Sequence, residues 1–516
     1  MPSLTWTLVQ EAMLFKYLWR LQSADYSSLE CFGRRSRNSS AISSPINTCH
    51  EFMKTEINRL SSSFRDPSGF LFYDNGVLFR SVSRLYRQNY DHLIHSGLYS
   101  KLVEDNLLIP HKETDPSADK HDNTYKIIEP EIVPFISYPY EWCFSQLKDA
   151  ALALIRIQKQ ALDRNMILKD ASAYNMQFFK GKPILIDTLS FEIYNENQPW
   201  AAYRQFCQHF LAPLSLMAFR DIRLSKLMRI YMDGLPLDLV SRLLPILTWF
   251  KPALLFHIHL HAKAQKRYAA KASPLASPKV SKYSLVALMH HLESAVIAMK
   301  WRPAGTEWAD YYEDTNYSQE AMNHKQRLVK AYLGESKPRT LWDLGANTGV
   351  FSRIATAMDI DTIAFDVDPA AVEKNYRQMQ SNKETKLLPL CLDLSNPSPA
   401  IGWANAERFS LIKRGPADTV LALALIHHVA ISNNVPFSHI AAFLSRLCRF
   451  LIIEFVPKND SQVQRLLRSR EDIFYHYTRE HFEASFGDHF SILKSEIIVN
   501  TQRTLYLMEK LDVDVN

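Results

Sequence analysis

Between residues 341 and 349 the chain reads Leu-Trp-Asp-Leu-Gly-Ala-Asn-Thr-Gly, and this stretch decides the fold of the last third of the protein. The apolar run places Asp343 close to the end of a strand, and the small residues after it predict a tight turn into a helix. Gly345 and Gly349 let the backbone approach a ligand closely, and Asn347 tolerates a left-handed φ angle. The free N–H groups at the start of the helix attract a carboxylate. The stretch therefore suits a charged ligand that carries a nucleoside.

Short apolar runs alternate with segments of helical periodicity from residue 339 onward. Five of these runs predict parallel strands, at residues 339–344, 362–366, 386–392, 418–424 and 449–456. Two more runs predict a terminal antiparallel hairpin, at residues 490–498 and 504–508. This alternation is typical of an α/β fold, here a Rossmann-like doubly wound sheet that ends in the hairpin.

Two acidic residues follow the second and third of these strands. Asp366 ends the second strand about twenty residues after the glycine turn, where an acid can accept hydrogen bonds from both hydroxyls of a ribose. Asp393 follows the third strand, where a carboxylate can accept a hydrogen bond from the adenine amino group. Asp368 precedes a proline at the first turn of the next helix and is better explained as a helix cap. Because the turn differs from G-x-G-x-x-G, a nicotinamide cofactor is the less natural ligand.

In this order and spacing, the three elements resemble motifs I to III of the class I S-adenosylmethionine-dependent methyltransferases. The resemblance covers residues 336–512 and implies that S-adenosylmethionine is the cofactor and methyl donor. It further implies that the turn frames the methionine end, that the second acid binds the ribose and that the third binds the adenine. Asn347 stands where a glycine is more common. The donor-binding residues implied in this way are Asp343, Gly345, Asn347, Gly349, Asp366 and Asp393.

Residues on the acceptor side are expected after strands four and five. His427 and His428 follow the fourth strand and Glu454 lies near the end of the fifth, so these three are the candidates for a catalytic base or an acceptor contact. Helix capping or packing is the alternative for the histidine pair. The fourth strand is not followed by N/D-P-P-Y/F, the usual device for methylating an exocyclic amine of a base. The predicted reaction is therefore methyl transfer to an oxygen or nitrogen of a small molecule or glycan.

Composition and charge also disfavour nucleic acid as the partner. The 60 basic and 54 acidic residues are spread along the chain and leave a formal charge of +6. The six cysteines form no C-x-x-C pair, so neither a disulfide framework nor a metal site is predicted from them. No signal peptide is recognised, and the longest apolar stretch, residues 243–260, is interrupted by Pro245, Lys251 and Pro252. The sequence predicts a cytoplasmic protein without a membrane span.

The N-terminal half contains a D-x-x-x-x-N motif that is followed by a second aspartate. Asp170 and Asn175 come after a long helical run, and Asp187 follows a short apolar stretch. The layout is similar to the catalytic loop and metal-binding acid of kinase-like phosphotransferases over residues 127–215, which implies the first aspartate as base and the other two residues as Mg²⁺ ligands. Three departures are Leu-Lys in place of His-Arg before the first aspartate, no Gly-rich loop and no strand-three lysine. An Asp/Asn turn beside a hairpin is the alternative, and nucleotide binding without robust phosphate transfer is expected.

The chain divides into five predicted segments. These are an extension at residues 1–50, an α+β domain at 51–270, a linker at 271–284, a helical connector at 285–335 and the methyltransferase domain at 336–512. The α+β domain starts with a predicted hairpin around Asp74-Asn75-Gly76 and ends with alternating histidines that are expected on a helix surface, His257, His259 and His261. The connector holds an aromatic cluster that either closes over a sulfonium or packs between helices, formed by Trp308, Tyr311, Tyr312 and Tyr317.

Taken whole, the chain is similar to a group of bacterial two-part proteins described as nodulation-protein-like methyltransferases. The similarity is carried by L-K-D-A-S-A-Y-N at residues 168–175, T-N-Y-S at 315–318 and W-D-L-G-A-N-T-G at 342–349. It implies a glycan or lipid-linked saccharide as a further class of acceptor. Two rival functions are a non-catalytic nucleoside-binding module that recruits a partner, and a bifunctional protein whose N-terminal domain transfers phosphate.

Overall fold

The computed structural model describes residues 58–114, 123–264, 279–303, 317–468 and 470–512. The predicted extension at residues 1–50 lies outside the described residues, as do most of the predicted linker and three of the four connector aromatics, Trp308, Tyr311 and Tyr312. No helix in the described part of the chain combines the length and the apolar character that a membrane crossing requires.

The N-terminal half begins with an antiparallel sheet and continues as a mainly helical region. Its strands in the described residues are β1 (Asn58–Arg59), β2 (Gly69–Asp74), β3 (Val77–Ser83), β4 (His111–Thr114), β5 (Thr124–Pro130), β6 (Met166–Leu168), β7 (Met176–Phe179), β8 (Lys182–Leu185) and β9 (Phe191–Ile193). The sheet order is β1-β2-β3-β5-β4, while β6 pairs with β9 and β7 with β8. The predicted hairpin joins β2 to β3 through Asn75 at φ 48° and Gly76 at φ 80°, the left-handed pair that a tight hairpin turn requires. The prediction of a mixed α+β N-terminal half is confirmed.

The helices of this half surround one long central helix. They are α1 (Arg87–His95), α2 (Leu98–Glu104), α3 (Phe144–Asp163), α4 (Tyr203–Phe206), α5 (Ala212–Phe219), α6 (Leu227–Ile230), α7 (Leu237–Leu243), α8 (Pro252–Leu254) and, after the gap at residues 265–278, α9 (Lys282–Ala298). The central helix is α3, in which Leu147, Leu154 and Leu162 recur at helical spacing and are fully buried.

The three alternating histidines of this half are not on a helix surface, so that prediction is wrong. The side chains of His257 and His259 are fully buried, in a segment of π-helix at Leu255–Leu260, and His261 is 7% exposed. His257 shares hydrogen bonds of 2.6 Å with the Tyr203 hydroxyl and with the His291 ring. Burial lowers the pKa of His257 well below its ordinary value, so the ring is neutral, and its polar atoms have partners. A neutral, hydrogen-bonded imidazole can be buried at little cost, which the spacing alone does not reveal.

The last third folds around a seven-stranded sheet. Its strands are β10 (Thr340–Leu344), β11 (Asp361–Asp366), β12 (Leu387–Cys391), β13 (Ala417–Ala422), β14 (Cys448–Phe455), β15 (Phe490–Ile497) and β16 (Thr504–Lys510). The order is β12-β11-β10-β13-β14-β16-β15; strands β10 to β14 are parallel, and β16 is antiparallel to both β14 and β15. Every predicted strand boundary lies within two residues of the observed one. The predicted doubly wound α/β sheet with a terminal antiparallel hairpin is confirmed.

Helices cover both faces of this sheet, which explains why its inner strands are almost continuously apolar. Leu341, Leu421 and Leu451 on β10, β13 and β14 are fully buried. The covering helices are α10 (Gln319–Ser336), α11 (Val350–Thr356), α12 (Pro369–Asn382), α13 (Leu411–Arg414), α14 (Phe437–Leu444), α15 (Ser461–Leu467) and α16 (Arg479–Gly487). The chain runs outward from β10 to β12 and then returns to β13 on the other side of β10, so the strand order reverses between β10 and β13.

The two halves of the chain pack against each other through a buried interface. At the start of α3, the Ser145 N–H donates to Glu373 on α12 over 2.9 Å, and the Gln146 amide donates to the Pro389 carbonyl of β12 over 3.0 Å. The ring of Phe135 meets the ring of Trp342 on β10 edge to face, with centroids 5.5 Å apart. One continuous cluster of buried apolar side chains extends from Leu93 to Met508. The halves therefore form a single packed body around the β10–β12 side of the sheet.

Candidate donor site and its surroundings

The glycine turn after β10 has the backbone conformation that the sequence predicts. Gly345, Asn347 and Gly349 have φ angles of 82°, 51° and 81°, all in the left-handed region. A Cβ atom on Gly349 would lie 2.6 Å from the side-chain amide of Asn375, so a larger residue there would force Asn375 to move. The N–H groups of Gly345 and Ala346 both donate to the Phe365 carbonyl over 2.9 Å. These bonds tie the turn to the end of β11, where Asp366 lies.

Asp366 lies directly against the turn. Its carboxylate accepts hydrogen bonds from the Asn347 N–H over 2.7 Å and from the Asp368 N–H over 2.8 Å. The side chain is 8% exposed, and burial raises its pKa to about 6. Asp368 accepts a hydrogen bond from the Ala370 N–H over 2.8 Å, as expected of the cap of α12. The two acids thus have different surroundings, although they are two residues apart.

The other two acids of the predicted donor set lie on either side of Asp366. Asp343 is 2% exposed and accepts a hydrogen bond from the Ser352 hydroxyl on α11 over 2.6 Å. Burial, assisted by the neighbouring Asp366, raises the pKa of Asp343 to about 6. Asp393 is exposed just beyond β12 and accepts from the N–H and hydroxyl of Ser395 over 2.8 and 2.6 Å. The structure therefore joins Asp343 to the helix after the turn and leaves Asp393 open at the rim.

Glu454 is enclosed in a buried ion-pair cluster. Its carboxylate lies 2.7 Å from the Lys325 ammonium and 3.5 Å from the Arg503 guanidinium, and it accepts a hydrogen bond from the Tyr317 hydroxyl. Burial alone would raise the pKa of Glu454, but the two cations outweigh it and lower that pKa. An ionised, fully buried carboxylate with a lowered pKa is a poor proton acceptor.

The Glu454 cluster holds the loop that carries the histidine pair. Glu454 accepts a hydrogen bond from the Ala424 N–H over 2.8 Å, and Ala424 has a left-handed φ of 49°. The next residue, Leu425, approaches the glycine turn, since its Cδ1 would lie 3.4 Å from a Cβ atom on Gly345. The loop after β13 and the turn after β10 are thus neighbours across the point where the strand order reverses.

His427 and His428 differ in their access to this region. His427 is 1% exposed, and its Nδ1 is buried without a hydrogen-bond partner in the described structure. Burial, together with the neighbouring cations and His428, lowers its pKa well below the ordinary value. His428 is half-buried, and burial lowers its pKa to about 4. Both rings are therefore neutral near pH 7, with their centroids 4.1 Å apart.

Sequence reasoning did not identify Lys325 and Arg503 as part of this region. Lys325 lies on α10 within the stripe of buried residues that includes Ala321, Leu328 and Val329. A lysine inside an apolar stripe signals a buried partner, although it does not say which one. Arg503 lies in the turn before β16, is 1% exposed and also pairs with Asp460 over 2.8 Å. No local pattern distinguishes it from an arginine on the surface.

In the N-terminal half the structure brings the three kinase-like candidates together. Asp170 accepts a hydrogen bond from the Asn175 amide over 3.0 Å, and burial, together with the charge of Asp187, raises the pKa of Asp170. Asp187 is paired with the guanidinium of Arg80 on β3 over 2.9 Å and accepts from the Ser190 hydroxyl over 2.7 Å. Arg80 is a buried cation that the sequence analysis did not identify as a partner of Asp187. Across the described ranges, no three His, Cys, Asp or Glu side chains have an arrangement suited to a metal ion.

The order of the sheet and the glycine turn beside Asp366 define a class of fold, the Rossmann-like doubly wound α/β sheet with a terminal antiparallel hairpin. The chain is 34% identical over 461 residues to nodulation protein NoeA of Rhizobium meliloti (strain 1021), across 88% of this chain and 96% of that protein. The chain belongs to the NoeA family of nodulation proteins. No protein-family model matches it.

Solved structures with a similar fold cover part of the chain. The magnesium protoporphyrin IX methyltransferase of Synechocystis PCC 6803, crystallised with S-adenosylhomocysteine, is 19% identical and covers 39% of this chain and 91% of its own, with a TM-score of 0.28. The bifunctional kinase-methyltransferase WbdD is 13% identical and covers 41% of this chain and 45% of its own, with a TM-score of 0.28.

Proposed function

We propose that the protein is an S-adenosylmethionine-dependent methyltransferase that binds its donor over the turn after β10. The observation that carries the proposal is the hydrogen bond from Asn347 in the left-handed turn to Asp366 at the end of the next strand. In open α/β sheets ligands bind beyond the carboxyl ends of the strands, where the strand order reverses. Here that point lies between β10 and β13, beside the turn.

The residues around the turn fit the parts of such a donor. The N–H groups at the start of α11 suit its carboxylate, and Asp366 suits the ribose hydroxyls. Asp393 at the rim suits the adenine amino group, and Asp343 orients α11 through Ser352. When bound, S-adenosylmethionine supplies a methyl group on a sulfonium for transfer to an oxygen or nitrogen.

On the acceptor side, we assign contact with the acceptor to His428, the more accessible of the two histidines, and a positioning role to Glu454. His428 is half-buried and neutral, so its ring can hydrogen-bond an acceptor hydroxyl or amine without carrying a repelling charge. Glu454 holds the loop of the pair through Ala424, and its lowered pKa makes it unsuited to proton removal. The acceptor that we favour is a small molecule or a glycan, because the loop lacks the N/D-P-P-Y/F device.

The test is turnover by the full chain. With labelled S-adenosylmethionine and fractionated lysate, the wild-type protein is expected to form S-adenosylhomocysteine together with a labelled acceptor. Gly345→Arg is expected to abolish both, because position 345 has a φ of 82° and the side chain would fill the turn. Gly334→Arg is the matched control, since a Cβ atom there meets nothing within 4 Å. Donor binding without turnover in every fraction would instead identify a non-catalytic nucleoside-binding module.

The arrangement of the kinase-like candidates in the N-terminal half argues against phosphate transfer. The Asp170–Asn175 pair fits the kinase-like layout of the sequence, but Mg²⁺ does not fit Asp187 as the structure has it. One oxygen of Asp187 is paired with Arg80, and the other accepts from Ser190. We therefore infer that this half does not transfer phosphate and that Asp187 stabilises the fold.

For the full chain, we expect Mg²⁺ with ATP to change the melting temperature by less than about 1 °C, because a ligand stabilises only the state that binds it. No phosphate transfer is expected in a parallel assay with labelled ATP. Asp187→Asn should lower the melting temperature equally with and without nucleotide, since it removes the ion pair with Arg80. A rise in melting temperature that requires Mg²⁺, or phosphate transfer that Asp170→Asn abolishes, would contradict this inference.

A further inference from the structure

One turn of the N-terminal half presents large apolar side chains to solvent. Residues Ile246–Phe250 form a 3-10 turn, in which Ile246, Leu247 and Phe250 are 72%, 71% and 80% exposed. Single exposed apolar side chains are common on protein surfaces, but three on one turn mark an interaction surface.

The turn is held firmly in this orientation. Thr248 is 1% exposed, donates to the Pro245 carbonyl over 2.6 Å and shares a 2.9 Å hydrogen bond with the His259 ring. The ring of Trp249 stacks on His259, with centroids 4.3 Å apart. His259, which is fully buried, therefore anchors the inner side of the turn. With Thr248 and Trp249 fixed inward, the other three side chains can only face outward.

Two lysines lie beside the turn, in a stretch of sequence without acidic residues. Between Asp238 and Glu293 the sequence has no aspartate or glutamate, whereas the chain as a whole has 54 in 516 residues. Lys251 follows the turn directly and is exposed, and the Lys263 ammonium lies 4.4 Å from the centre of the Trp249 ring. Arg242, in the same stretch, is paired with Asp238 over 2.6 Å, so the positive charge beside the turn comes from the two lysines.

We propose that this face docks on the surface of an anionic phospholipid membrane. Exposed Ile, Leu and Phe side chains insert at the boundary of head groups and acyl chains, and lysines pair with lipid phosphates. A second copy of the chain would bring the same positive charge against itself, which disfavours a symmetric dimer through this face. The proposal does not depend on methyl transfer, because no residue of the donor site takes part.

The experiment is co-sedimentation of the full-length protein with lipid vesicles. We expect binding to vesicles that contain about 30 mol% phosphatidylglycerol to exceed binding to pure phosphatidylcholine vesicles by at least about fivefold, and to fall when NaCl is raised from about 0.1 to 0.5 M. Leu247→Glu/Phe250→Glu should reduce binding at least about tenfold, because it removes two inserting side chains and adds negative charge. Lys251→Gln/Lys263→Gln should reduce binding by a smaller factor.

The matched control is Trp403→Glu, which changes a side chain that is 72% exposed on the other half of the chain. Trp403→Glu should bind vesicles like the wild type. Trp403→Glu and Leu247→Glu/Phe250→Glu should both keep the wild-type melting temperature. The proposal is overturned if the wild-type protein ignores anionic vesicles or if Leu247→Glu/Phe250→Glu binds them normally. A dimer in sedimentation velocity that this double variant abolishes, without vesicle binding by the wild type, would assign the face to a second copy instead.

Discussion

Lys325→Met is expected to destabilise the protein by about 3 to 5 kcal/mol, the usual cost of leaving one partner of a buried ion pair without the other. The Lys325 and Glu454 side chains are 3% and 0% exposed and lie 2.7 Å apart. The substitution would leave the Glu454 carboxylate buried with one nearby cation, Arg503, at 3.5 Å. Urea denaturation followed by circular dichroism measures the change in the free energy of unfolding. Lys330→Met, an exposed position on the same helix, is the control and should change it by less than about 0.5 kcal/mol.

A double variant tests whether the cost arises from the pair itself. Lys325→Met/Glu454→Gln should be more stable than the sum of the single changes by at least about 1 kcal/mol, because the second change removes the unpaired charge. The two cations lower the pKa of Glu454. The ionised carboxylate therefore contributes to the free energy of unfolding above the ordinary pKa of 4.5, and this contribution is lost as the pH falls through the lowered pKa. Additive single changes would show that Lys325 and Glu454 do not interact energetically.

Asp366→Ala is expected to weaken S-adenosylmethionine binding by about 1.5 to 3 kcal/mol, the scale of a lost charge-assisted hydrogen bond. Isothermal calorimetry on the full chain measures this directly. Asp361→Ala changes an exposed acid at the opposite end of β11 and should bind normally. Because Asp366 also accepts from the Asn347 N–H, the melting temperature of each variant must be compared with that of the wild type. Normal binding by a folded Asp366→Ala protein would show that the ribose is held elsewhere.

The same contact predicts a pH dependence of donor binding. The ribose hydroxyls donate to the ionised carboxylate, and burial raises the pKa of Asp366 to about 6. Protonation therefore competes with the donor, so affinity should fall as the pH decreases through about 6 and should stay constant well above it. Asp366→Asn should bind weakly and show a flatter profile, since it has no proton to lose at this position.

The sheet could be predicted from sequence because its signal is local. The inner strands are buried on both faces and appear as apolar runs, and the left-handed turn requires glycine or asparagine at positions that Gly345, Asn347 and Gly349 occupy. Lys325, Glu454 and Arg503 come from three separate elements, and only the packed fold brings them together. The ion pair between Arg80 and Asp187 could not be predicted from sequence periodicity either, because the two residues are distant in the sequence.

The alternating histidines show how a local pattern can mislead. Their spacing suggested a solvent-facing helix, because a lone imidazole is costly to bury. The structure supplies Tyr203, His291 and Thr248 as hydrogen-bond partners, and these lie far from the histidines in sequence or in the preceding turn. Burial of a polar residue depends on such partners, so it cannot be judged from one helix alone.

The interface between the halves has a consequence for synthesis on the ribosome. Ser145 and its partner Glu373 are separated by 228 positions. At a translation rate of about 5 to 20 residues per second, Glu373 is therefore synthesised roughly 10 to 45 s after Ser145. During that interval the aromatic face around Phe135 has no partner, because Trp342 has not been made for most of it. A nascent chain that exposes such a face is a natural client for chaperones, and a gene truncated before β10 would yield a product that keeps this apolar surface uncovered for its whole lifetime.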